Sequence, residues 1–389
     1  MKPDLRIGVI GVSQRGRLAD YAHKPGLGSR IVAGADINPA ALDEFKKRIS
    51  SDVFTTADYT ELLARDDIDA VFILTPDYLH EQMSVEAARA GKHIYLEKPL
   101  AITVEGCDRI LREVCKNKVK LYLGHNMRHM SFVLKMKELI DSGIIGEIQA
   151  AWCRHFVGHG GDFYYQDWHA DRTKTTSLLL QKAAHDIDIM HWLAGGFTTR
   201  TVAMGKLAVY DKIQDRHDDK PFRKYDIFRN TWPASEQKKL NPIIDVEDIS
   251  MMQMQLDNGV QCSYQQCHFT PDYWRNYCFI GTRGRIENFG DTPGSDCVIR
   301  VWKDKCNYNR DGDLHFTLPR ELGSHGGADP KIVAEFIRYI REDGPVTTSP
   351  IAARQAVAAG YCATMSIRND NMPFDVPPVD EDLLEYFKN

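Results

Sequence analysis

The chain opens on a short apolar run, Leu5-Arg6-Ile7-Gly8-Val9-Ile10-Gly11-Val12, whose β-branched content predicts a buried parallel strand. A turn rich in Gly and Ser follows, and a helical stretch begins near Arg17. Apolar runs return at 31–35, 70–74 and 93–96 and predict three more strands. Between them, residues 39–49, 57–64 and 85–90 carry helical spacing, Thr75-Pro76 stops one strand and Gly91 ends one helix. This strand–helix alternation up to residue 124 predicts an α/β fold with a doubly wound parallel sheet of Rossmann type.

Beyond residue 124 the pattern changes. Residues 132–141 read as a helix, Gly143 to Gly146 as a turn, and Glu147 to Phe156 alternate as a strand. Leu178 to Leu193 predicts one strongly apolar helix. Residues 248–257 and 259–268 alternate on either side of Asp257-Asn258-Gly259, a hairpin turn, and 276–280 with 284–288 form a further strand pair. Helices are predicted at 330–342 and 351–367. Antiparallel strands after an α/β half predict a second, α+β domain over residues 125–389, for substrate binding and oligomerisation. Residues 211–245 are polar, with Pro221, Pro233 and Pro242, and are expected to form a long insertion loop of the kind that serves as a lid, an arm or a disordered segment.

Length and charge narrow the class. A chain of 389 residues favours two domains over a single core. The formal net charge of −5, with no long basic block, argues against a nucleic-acid partner. No apolar run is long enough to span a bilayer, and Met1 to Val12 lacks the features of a signal peptide, so no membrane partner is expected. Nine cysteines without a CxxC pair fit reduced thiols and a cytoplasmic location.

The chemistry starts at Gly11-Val12-Ser13-Gln14-Arg15-Gly16, which closes the first strand and opens the first helix. It is a GxGxxG-type turn with Ser13 at the middle glycine position. Glycines there let backbone approach a pyrophosphate, which then meets the unsatisfied N–H groups of the helix N-terminus. Asp36 ends the second strand, where a carboxylate accepts hydrogen bonds from ribose hydroxyls and repels a 2′-phosphate, so NAD is favoured over NADP.

Taken together, this turn, Thr75-Pro76-x-x-x-His80, Glu97-Lys98-Pro99 and His185-Asp186-x-Asp188 resemble the Gfo/Idh/MocA family of glucose–fructose oxidoreductases and inositol dehydrogenases, over essentially the whole chain. The resemblance implies an N-terminal Rossmann domain and a C-terminal α+β domain built on an open, mainly antiparallel sheet. It implies NAD(H)-dependent hydride transfer at a carbon–hydroxyl of a sugar, cyclitol or sugar derivative. NAD would be bound by Gly11, Ser13, Gln14, Arg15, Gly16, Asp36, Thr75, Pro76, His80, Glu97 and Lys98. Lys98 would stand beside the nicotinamide and the reacting hydroxyl, where a cation stabilises developing alkoxide charge. His185 matches the general acid/base. Gln181, one helical turn earlier, stands where inositol dehydrogenases carry an aspartate; Asp188 is a second way to orient the imidazole. A homo-oligomer, dimer or tetramer, is expected.

Trp168, His169, Arg172, Lys182, Gln181 and His325 are the further candidates for substrate contact, because polar and aromatic groups together suit a molecule with hydroxyls and apolar C–H faces. Five histidines lie between His155 and His191 with several aspartates nearby, yet there is no HExxH and no zinc spacing, so no metal is expected. Two rivals stand beside the dehydrogenase: redox-assisted glycoside hydrolysis with tightly held NAD, and a non-catalytic NAD-binding sensor.

Overall fold

A computed structural model of the chain describes residues 3–218, 229–291, 297–305, 307–319, 321, 323 and 325–388. Pro221, singled out above, lies outside the described residues. The fold comprises two compact units. The first takes in residues 1–126, 327–354 and 379–389, and the second residues 127–326 and 355–378.

In the first unit, strands β1 (Leu5–Ile10), β2 (Ser29–Ala35), β3 (Phe54–Thr56), β4 (Ala70–Ile73), β5 (His93–Leu96) and β6 (Leu121–Leu123) form a parallel sheet in the order β3-β2-β1-β4-β5-β6. Helices α1 (Pro39–Ile49), α2 (Tyr59–Leu63), α3 (His80–Arg89) and α4 (Val104–Asn117) make the crossovers. Asn38 caps α1 by accepting from the Ala40 N–H, and Thr103 caps α4 through the Gly106 N–H. The order reverses between β1 and β4, so the loops that leave their carboxyl ends open at the switch point where such sheets bind ligands. The stretch expected as a helix from Arg17 is a 3-10 helix over Gln14–Ala22.

One covering element of this unit comes from far along the chain. Sequence spacing assigned residues 330–342 to the 125–389 domain, whereas α9 (Ala328–Glu342) packs inside the first unit. Ile332, Val333 and Phe336 join its core. The Phe336 ring meets Phe72 at 5.1 Å and Tyr95 at 5.6 Å, both nearly edge-on. Glu335 accepts from the Tyr122 hydroxyl at 2.6 Å.

In the second unit, β7 (Ile148–Val157), β8 (Thr198–Lys206), β9 (Ile249–Leu256), β10 (Gln261–Cys267), β11 (Tyr273–Gly281), β12 (Gly284–Phe289), β13 (Cys297–Trp302), β14 (Leu314–Leu318) and β15 (Phe374–Asp375) build one sheet. Its order is β14-β13-β12-β11-β7-β10-β9-β8-β15. Every neighbouring pair is antiparallel except β7 and β10, which makes the open, mainly antiparallel sheet of an α+β unit. Ahead of β7 runs α5 (Ser131–Asp141), and α6 (Arg172–Thr175) follows β7. The apolar stretch expected as a single helix is two, α7 (Leu178–Gln181) and α8 (Ala183–Ala194), with the break at Lys182; α8 packs on β7 and β10. The long helix α10 (Pro350–Arg368) and the short α11 (Glu381–Tyr386) follow α9.

The described part of the 211–245 insertion is tied down. Tyr210, at its start, stacks on Tyr165 at 4.2 Å, and Ala234, Leu240 and Val246 enter the same core cluster. Asp162 accepts from Gln237 at 2.7 Å.

The packing of α9 generates a stability prediction. Phe336→Ala should lower the free energy of unfolding by about 3–5 kcal/mol, the range for a large aromatic removed from a closed core. Urea denaturation followed by far-UV circular dichroism reads it, and a change below about 1 kcal/mol would contradict the packing described.

Candidate functional site

In the first unit the expected dinucleotide residues gather at the carboxyl ends of β1, β2, β4 and β5. Gly11 has φ +87°, and a Cβ there would lie 2.8 Å from the Leu74 carbonyl oxygen. A Cβ on Gly16 would lie 2.4 Å from the Gly11 carbonyl oxygen. Both positions therefore require glycine, and they hold the exposed Ser13 and Gln14 at the rim of the turn. Asp36 is half-buried. One of its oxygens accepts from the backbone N–H groups of Val12 (3.0 Å) and Ser13 (3.2 Å), and the other from Asn38 (2.9 Å). The carboxylate thus fixes the shape of the turn.

Arg15 and His80 each make close contacts within the first unit. Arg15 turns inward: its Nε and Nη2 donate to Glu97 at 2.8 and 2.7 Å, and its Nη1 and Nη2 to Asp329 at 2.7 and 3.2 Å. Burial disfavours the charge, but Glu97 and Asp329 outweigh it and raise the guanidinium pKa. His80 is fully buried, with Nδ1 2.7 Å from the Pro99 carbonyl and Nε2 2.9 Å from the Thr75 carbonyl. Burial lowers its pKa, and the two carbonyls partly offset that. Arg15 and His80 are thus tied to their neighbours within the first unit. They brace Glu97-Lys98-Pro99 from two sides, His80 directly to the Thr75-Pro76 loop. Thr75, Pro76 and Lys98 are half-buried, and the Thr75 hydroxyl faces the Met83 sulfur at 3.4 Å.

In the second unit His185 is half-buried in the first turn of α8, and Gln181 is buried at the end of α7. Asp188 is held bidentately by Arg128 at 2.8 and 2.7 Å, so its carboxylate is committed to a buried ion pair. Lys182 lies over the Tyr164 ring at 5.5 Å, Tyr164 meets His169 at 5.0 Å, and Trp168 stacks on His169 at 3.7 Å. Arg172 is exposed and pairs with Asp245 at 3.1 Å. His325 is exposed with φ 52°. The structure therefore brings Trp168, His169 and Lys182 into one aromatic cluster, and ties Arg172 to a surface ion pair.

Sequence spacing missed the network beneath α8. Asp186 accepts from Tyr264 (2.9 Å), His155 (2.8 Å) and the hydroxyl of Tyr277, and pairs with Arg275 (2.8 Å). Arg275 also reaches Asp291 at 3.3 Å. These residues come from β7, β10, β11 and α8, with Asp291 following β12, and only the inward alternation along the strands hinted at the network. Burial would raise the Asp186 pKa, but Arg275 and His155 lower it overall. Burial and the Arg275 charge push His155 down to about 3. Burial brings His159 and His191 to about 4 each. Among the described residues, no group of three or more His, Cys, Asp or Glu is arranged to hold a metal ion. No helix among them is long and apolar enough to cross a membrane.

These neutral histidines predict acid sensitivity. As pH falls below about 6.5, the unfolded chain takes up protons that folded His155, His159 and His191 refuse. Stability should therefore fall with acid until the folded values are reached, by up to about 1.4 kcal/mol per pH unit for each histidine. The Asp186 contribution has its own window, lost only below the normal carboxylate range. Urea midpoints between pH 7 and 5 should decline steadily, and His191→Gln should flatten the slope. A midpoint that is constant or rises toward pH 5 would contradict these assignments.

Comparison with known proteins follows the same division of the chain. Residues 5–125 match the family described as "Oxidoreductase family, NAD-binding Rossmann fold", and residues 137–376 match "Oxidoreductase family, C-terminal alpha/beta domain". An inositol 2-dehydrogenase/D-chiro-inositol 3-dehydrogenase of Halalkalibacterium halodurans is 32% identical over 192 residues, 49% of this chain and 52% of that protein. A 2,7-anhydro-N-acetylneuraminate hydratase of Mediterraneibacter gnavus is 29% identical over 217 residues, 55% of this chain and 56% of that protein. The matches thus span about half the length of these curated relatives. A levoglucosan dehydrogenase solved with NADH and levoglucosan shares the fold, with TM-score 0.76 at 22% identity, covering 96% of this chain and 100% of that one. With both family descriptions matched in order along its length, the chain belongs to the Gfo/Idh/MocA oxidoreductase family.

Proposed function

We propose that the protein is an NAD-dependent dehydrogenase acting on a carbon–hydroxyl of a sugar, cyclitol or sugar derivative. The observation that carries this reading is the bracing of Lys98: a lysine at the carboxyl end of β5, beside a glycine turn suited to a pyrophosphate, with its loop held by Arg15 through Glu97 and by His80 through Pro99. The relatives named for inositol and levoglucosan support the substrate class. A cytoplasmic homo-oligomer, dimer or tetramer, belongs to the same proposal.

The residues present fit the cofactor, since the close packing of Gly11 and Gly16 makes a turn that admits backbone approach. Gly11, Ser13, Gln14 and Gly16 would hold the pyrophosphate and Asp36 the adenosine ribose; NAD, when bound, supplies the hydride acceptor. Lys98 donates a hydrogen bond to the reacting hydroxyl oxygen and stabilises the charge that develops there. His185 takes the hydroxyl proton as the C–H bond yields its hydride. Gln181 hydrogen-bonds but cannot exchange a proton, so the acid/base work rests on His185 alone. Redox-assisted elimination or hydration, with the hydride returned to substrate, is the second reading; a relative named as a hydratase favours keeping it. It differs by giving product without net NADH.

Three predictions test this. NAD should bind at least about tenfold more tightly than NADP, and Asp36→Ala should narrow the gap, because the carboxylate repels a 2′-phosphate; fluorescence titration measures it, and preference for NADP in the unmodified protein would refute the placement of Asp36. Lys98→Ala should lower turnover by about 10²–10³-fold with much smaller change in NAD affinity. His185→Ala should remove most activity together with the ionisation that governs the pH–rate profile. Near-normal turnover in either variant removes that residue from the mechanism.

A further inference from the structure

The end of β10 presents an imidazole that the mechanism does not use. His268 follows Cys267 and is fully buried, and neither of its ring nitrogens has a hydrogen-bond partner among the described residues. Its backbone is fixed on two sides. The N–H donates to Asp248 O at 2.9 Å, and the carbonyl accepts from the Tyr210 hydroxyl at 2.6 Å. A Cβ on Gly160 would lie 2.0 Å from that carbonyl, so the loop of residues 158–161 rests directly on this backbone. The ring is met edge-on by Tyr164 at 5.3 Å and Tyr165 at 6.3 Å.

Burial drives the His268 pKa well below its ordinary value, and the nearby Lys182 charge acts in the same direction. The imidazole is therefore neutral near pH 7 and carries one donor and one acceptor. A buried polar atom left unpaired costs about 1–3 kcal/mol. A position needed only for packing would be filled at less cost by an apolar ring. The neighbours share one character. Tyr164 flanks both His268 and His169, Trp168 stacks on His169, and Lys182 lies over Tyr164. His159 stacks on Tyr273 at 5.2 Å. Aromatic faces and edges beside a neutral donor–acceptor suit an uncharged polyol ring, whose C–H faces pack on aromatics and whose hydroxyls both give and accept protons.

We propose that His268 is a specificity-determining residue whose ring nitrogen hydrogen-bonds a hydroxyl of a cyclitol or pyranose substrate, at a ring position other than the one oxidised. The inference rests on the dehydrogenase reading above and adds to it a contact that selects among stereoisomers. A site built to hydrogen-bond a hydroxyl discriminates strongly against the analogue lacking it, because its own buried group is then left unpaired.

The test uses the NAD-loaded protein with myo-inositol, levoglucosan and a set of common hexoses, then the monodeoxy analogues of whichever polyol is oxidised. His268→Phe should raise KM about tenfold or more with little change in kcat, equivalent to the loss of one hydrogen bond. His268→Gln keeps a donor and an acceptor and should recover most of the loss. One monodeoxy analogue should show the same KM in the unmodified protein and in His268→Phe, which identifies the hydroxyl concerned. Unchanged KM in both variants, or an equal KM rise across all the monodeoxy analogues, overturns the inference while leaving the dehydrogenase reading standing. If His268→Phe does not fold, His268→Ala takes its place with the same expected KM rise and the same refuting outcomes. Failure of the unmodified protein to act on any polyol overturns the dehydrogenase reading, and this inference with it.

Discussion

The guanidinium of Arg15 is the contact on which the first unit's binding edge depends. It joins three stretches that are far apart in the chain: the glycine turn after β1, Glu97 after β5, and Asp329 in the first turn of α9. A buried carboxylate that loses its cation becomes strongly unfavourable, so the three stretches hold one another in place. A lysine could not do this, because only the planar fork of arginine presents several fixed donors to two carboxylates at once. Asn126 adds a further donor to Asp329 at 3.1 Å, and a Cβ on Gly124 would lie 2.8 Å from the Tyr95 hydroxyl, so the chain after β6 is fitted closely to the same cluster. The backbone of Lys98 follows Glu97 directly. The lysine we assign to the chemistry therefore takes its position from the residue before it, which this ion pair holds, and its backbone N–H donates to the same Glu97 carboxylate at 3.3 Å.

The second unit uses the same device in another form. Asp186 on α8 is gripped by Arg275, His155, Tyr264 and Tyr277, and two residues further along Asp188 is gripped by Arg128. These two anchors fix the helix that carries His185 against a broad sheet.

Much of the first sheet was legible because each element announces itself locally. The helix at 39–49 and the strand at 93–96 have the boundaries that periodicity assigns them, and the glycine turn and Asp36 sit where the strand ends predict. Strands of three residues, such as β3 and β6, are too short to carry a period. The spacing at 328–342 says helix but cannot name the core it joins, since that is decided by contacts with Phe72 and Tyr95 more than 200 residues earlier. The same limit explains Arg15 and His80. Their motif positions are legible, whereas the partners that hold them, Asp329 and the Pro99 carbonyl, are distant or belong to backbone. His268 carries no motif at all, and only its burial with unpaired nitrogens singles it out.

The central claim is that a hydride leaves a substrate carbon for NAD, and isotope transfer tests it most directly. A polyol substrate deuterated at its ring carbons, incubated with the protein and unlabelled NAD, should yield NADH carrying one deuterium at nicotinamide C4 by mass spectrometry. Consumption of the polyol with the recovered cofactor entirely unlabelled and never reduced would contradict hydride transfer as the reaction of this chain.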